Sequence, residues 1–146
     1  MEQARKNLKM ASILVFIFAG WDFITAIVEC LFLDSSRVAE LAKTTENIVA
    51  ISKIVFLVLA VLVLLPQLFV GFRGLQYAKN PKSAKGHIVW AKIIFVILVL
   101  AFISHIINLV KIQAYGVGVV ELFSTFAEGI LYFDYIKYAI AVSKEA

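Results

Sequence analysis

Residues 54–70 read IVFLVLAVLVLLPQLFV: an unbroken apolar run with no charged side chain and Gln67 as its one strongly polar group. The run does not alternate, so it cannot be a strand with one wet face, and a membrane β-barrel is excluded with it. Its apolar neighbours extend it over 48–72. That exceeds the roughly 20 residues needed to cross a hydrocarbon core about 30 Å thick at 1.5 Å per residue.

Comparable stretches lie on either side, at 10–33, 88–112 and 117–142. Across all 146 residues the chain is 62% hydrophobic and 16% charged, whereas a soluble domain is about half apolar and a quarter charged. Helices satisfy their own backbone groups in lipid. The expectation is an all-α membrane protein, an antiparallel bundle of four transmembrane helices forming one domain over 1–146.

Arg5, Lys6 and Lys9 precede the first span, as in a signal peptide. The length of the span, the acids Asp22 and Glu29 within it, and the lack of an Ala-x-Ala-like site before Asp34 favour a retained helix. Cys30 is the single cysteine, which excludes an internal disulfide, a CxxC pair and a multi-cysteine metal site. It reads as a small packing residue near a helix end.

Basic residues set the orientation. Arg5, Lys6, Lys9, Arg73, Lys79, Lys82, Lys85, Lys92, Lys137 and Lys144 fall on one side of the four spans; Arg37, Lys43, Lys53 and Lys111 fall on the other. Both termini should therefore be cytoplasmic, most simply at a plasma membrane. The basic inner connection should attract anionic lipid headgroups; nucleic acid is not an expected partner.

Between the first two spans, 35–47 has helical spacing and reads as an interfacial helix or an extension of helix two, capped by Ser35 or Ser36. Pro66 should kink the second helix. Asn80-Pro81 reads as an N-cap followed by proline at the first position of helix three. Ala114 to Gly118, AYGVG, reads as a tight turn.

Ionisable groups inside a span cost several kcal/mol and seek partners or a cavity. Asp22 and Glu29 are seven apart, which returns them to nearly one helix face, together with Ser12, Ala19 and Ala26. Glu121 and Glu128 repeat that spacing in the fourth span, and Lys53, Ala60, Gln67 and Gly74 in the second. His105 and Asn108 mark the third. Counted from the span centres, Asp22 and Glu128 fall near the midplane, while Glu29, Lys53, His105, Asn108 and Glu121 lie towards the outer face.

The candidate ligand- or ion-binding set is therefore Asp22, Glu29, Lys53, His105, Asn108, Glu121 and Glu128. One reading is a seam that binds or transports a cation, proton or amphipathic ligand. The other is a structural or regulatory subunit whose seam holds the bundle, a second copy or a membrane partner together. In the second reading Lys53 neutralises Glu29 or Glu121.

His105 with Glu29 and Glu121 would be a sparse zinc or manganese set, without a local motif. No cofactor is expected, and no catalytic motif is present. His87 reads as an interfacial residue. Tyr77, Trp90, Tyr115 and Tyr138 read as interfacial anchors, Tyr132 and Tyr135 as the inner border of the seam, and Trp21 as packed against a neighbouring helix. Size and span count resemble the small multidrug exporters, but the chain is longer and lacks their sequence around the first-helix acid, so no family follows.

Overall fold

The computed structural model describes residues 2–31, 46–83, 85–112 and 115–145. Four helices occupy nearly all of them: α1 (Glu2–Leu31), α2 (Glu46–Lys79), α3 (Gly86–Ile112) and α4 (Tyr115–Ser143). There is no strand among the described residues. Three helices contain segments long and apolar enough to cross a membrane: Glu2–Leu31, Lys53–Lys79 and Gly86–Lys111. The fourth, 29 residues long, has its charged residues Glu121, Glu128, Asp134 and Lys137 spread along its length.

Local chemistry sets the helix ends. Asn80 closes α2, its backbone N–H donating to the Gln76 carbonyl at 2.8 Å, and its side-chain oxygen accepts the Lys82 N–H at 3.2 Å. Asn80 thus makes an Asx turn and does not cap a helix, so α3 begins at Gly86, not at Pro81. The backbone of α2 continues through Pro66 without a break in the helix. Tyr115 to Gly118 form the first turn of α4 and not a loop. The expected helix at 35–47 falls outside the described residues, apart from Glu46 and Asn47 at the start of α2.

The chain divides into two compact units, one comprising residues 1–16 and 67–146, the other residues 17–66. In the first unit each helix contributes one buried stripe: Leu8, Ala11, Ser12 and Val15 from α1; Gln67, Val70, Tyr77 and Ala78 from α2; His87, Ile88, Ala91 and Ile94 from α3; Glu128, Leu131, Tyr132, Tyr135, Ala139 and Val142 from α4. These positions recur at three- and four-residue intervals, the period of one helix face. Helices α3 and α4 pack on each other, with Phe95 and Phe133 ring centroids 6.2 Å apart and those of Phe102 and Phe126 5.7 Å apart.

The second unit comprises the later half of α1 and the first half of α2. Its buried thiol, Cys30 Sγ, lies 3.7 Å from the Lys53 carbonyl oxygen. Elsewhere its helices present apolar side chains outward, including Ile17, Ile24, Ile54, Val58 and Leu62. Trp21 is 63% exposed, so it is not packed against a neighbouring helix as its position suggested.

Candidate functional site

Polar side chains of the first unit gather where α2 is at its narrowest. Gly74 has no side chain, and a Cβ placed there would collide with the hydroxyls of both Ser12 and Tyr135. At Gly71 a Cβ would lie 3.1 Å from the Phe16 ring. These two glycines form a notch into which α1 and α4 insert side chains, the device by which small residues let membrane helices approach.

Within that notch the Ser12 hydroxyl donates to the Leu8 carbonyl of its own helix at 2.8 Å. The Tyr135 hydroxyl donates to the Val70 carbonyl at 2.9 Å and lies 2.7 Å from His87 Nδ1. A phenol has one proton. With that proton on Val70, Tyr135 accepts from His87, so Nδ1 carries the imidazole proton. Tyr77 stands against the His87 ring, with centroids 4.8 Å apart. The Tyr77 hydroxyl and His87 Nε2 are buried without a hydrogen-bond partner among the described residues.

His87 and Tyr77 are each 0% exposed, so both face the interior of the first unit and not its surface. Their burial follows from helical phase. His87 lies four residues before Ala91 and seven before Ile94 on the buried face of α3, and Tyr77 lies seven beyond Val70 on that of α2.

Of the sequence candidates with described side chains, Glu128 is the one held deepest, at 5% exposure. Its Oε1 accepts from Gln67 Nε2 at 3.0 Å. His105 Nδ1 and Glu121 Oε2 face each other across α3 and α4 at 3.7 Å, both partly exposed. Asn108 lies on α3, with its side chain outside the description. In the second unit, Asp22 and Lys53 are half-buried and Glu29 is exposed near the end of α1. Lys53 and Glu29 form no ion pair among the described residues.

No group of three or more His, Cys, Asp or Glu side chains among the described residues is placed to hold a metal ion. Comparison with protein-family models, curated proteins and solved structures finds no match.

Proposed function

We propose that the protein is a multi-pass integral membrane protein, an antiparallel four-helix bundle with α4 as its fourth span. Its buried polar groups act as interhelical clasps, which makes it a structural or regulatory membrane subunit. The observation that carries this reading is the buried Gln67–Glu128 hydrogen bond: the deepest candidate acid is engaged by another helix of its own bundle. Polar contacts of this kind hold membrane helices together at roughly 1 kcal/mol each.

The membrane setting draws support from the outward faces. Val96, Ile97 and Leu100 on α3, and Phe123, Phe126 and Phe133 on α4, are exposed, as lipid-facing side chains would be. The antiparallel arrangement draws support from the ring pairs Phe95–Phe133 and Phe102–Phe126, which rise in number on one helix and fall on the other. Arg5 Nε meets Glu145 Oε2 at 2.9 Å, which supports both termini lying on one side. The excess of basic residues on that side supports its being cytoplasmic, with a plasma membrane as the simplest setting. The clasp serves the bundle itself, or a second copy or membrane partner.

A second reading retains the seam as a route for a cation, proton or amphipathic ligand. Its support is the partly exposed His105–Glu121 pair, which leaves titratable groups accessible along α3 and α4. Asp22→Asn and Glu128→Gln, made in protein reconstituted into vesicles, separate the two. The clasp predicts changed thermal stability or association and no ion or proton flux attributable to the wild type. Flux by the wild type, lost in both variants while their stability is unchanged, would overturn it. Labelling of Ser83→Cys from one face only checks the topology.

A further inference from the structure

We infer that the groove between α3 and α4 is a binding site for one anionic phospholipid, with an acyl chain in the groove and the headgroup at Lys92 and Lys137. The inference rests on the membrane reading above, but not on the clasp. The groove is a cavity of about 280 Å³ whose lining includes Phe95, Leu98, Phe102, Phe126, Gly129 and Phe133. The pairs Phe95–Phe133 and Phe102–Phe126 bound it at its two ends. Seven residues of α3 separate those ends, about 10 Å of helix, so the groove is long and narrow. Its floor is open at Gly129, where a Cβ would meet nothing within 4 Å.

An apolar slot in a bilayer takes a hydrocarbon chain by shape alone; charge at one end gives it preference among lipids. Lys92 precedes the lining residue Val99 by seven positions, and Lys137 follows the lining residue Ile130 by seven, so each shares a helix face with the groove. Lys92 lies before Phe95 on α3 and Lys137 beyond Phe133 on α4. Because those two rings pair, both lysines extend past the same end. Both are exposed, and neither forms an ion pair among the described residues. Lys137 Nζ stands 5.9 Å from the Tyr138 ring centroid, an aromatic neighbour suited to headgroup depth. At the other end stands His105 with the Glu121 carboxylate, which disfavours an anion there.

The test measures binding of phosphatidylglycerol and of phosphatidylcholine with the same acyl chains to the full-length, detergent-solubilised protein, by native mass spectrometry and thermal shift. Phosphatidylglycerol should bind about thirtyfold more tightly than phosphatidylcholine, and Lys92→Gln with Lys137→Gln should remove that preference. Gly129→Leu, which fills the groove, should weaken both lipids by tenfold or more at unchanged helix content. Glycerol phosphate, the headgroup without chains, should not compete. Equal binding of the two lipids, or full binding to Gly129→Leu, overturns the inference. Release of the protein from membranes by alkaline carbonate would instead defeat the membrane reading, and it is scored separately.

Discussion

Tyr135 on α4 donates its hydroxyl proton to the carbonyl oxygen of Val70 on α2 at 2.9 Å, while the same hydroxyl accepts from His87 on α3. One side chain thus joins three helices of the first unit. Tyr135→Phe removes both hydrogen bonds and leaves His87 Nδ1 a buried donor. The expected loss is about 1–3 kcal/mol. Denaturant unfolding in detergent measures it, and an unchanged midpoint would show that the three-helix junction is not stabilising.

Tyr77 provides the contrast. Its hydroxyl is buried without a partner among the described residues, so Tyr77→Phe removes a desolvated polar group and no bond. Stability should be unchanged or should rise, read in the same unfolding experiment. A loss comparable to that of Tyr135→Phe would refute this.

Gly74→Ala places a methyl against Ser12 and Tyr135. Overpacking of this kind costs about 1–3 kcal/mol. Gly20→Ala is the control: its Cβ meets nothing within 4 Å, and alanine is the better helix former by roughly 1 kcal/mol. The melting temperature should fall for the first and hold or rise for the second.

Glu128→Leu removes a buried hydrogen bond from Gln67 and should cost about 1 kcal/mol or more, whereas Glu128→Gln keeps an acceptor and should cost less. Gln67→Leu and Glu128→Leu together should cost less than the sum of the two single changes. A double-mutant cycle reads the coupling, and strict additivity would show that the two side chains do not interact.

The Arg5–Glu145 pair is part-buried, with the Arg5 side chain 43% exposed and that of Glu145 9%. Glu145→Gln should change stability by at most about 1 kcal/mol, and the difference should shrink as salt is raised. Melting curves at low and high ionic strength check this.

Hydropathy alone determined that the chain is helical with segments long and apolar enough to cross a bilayer, three of which the structure has, because a run such as 54–70 does not alternate as a strand would. The seven-residue spacings also identified Ser12, Gln67, Gly74 and Glu128 as seam residues, and all four are buried. Spacing gives the face of a helix, however, and not what stands opposite it. Lys53 and Glu29 satisfy the same periodicity yet are not buried.

His87, Tyr77 and Tyr135 illustrate the converse. Their positions near span ends suggested a headgroup belt or the border of a seam, and only the tertiary structure brings them together across α2, α3 and α4. Such a junction depends on the mutual rotation and axial offset of helices distant in sequence. Those are set by packing into the Gly71–Gly74 notch, which no local property of the chain encodes. The groove between α3 and α4 has the same origin, since its depth comes from how far apart two aromatic pairs hold the helices on either side of Gly129.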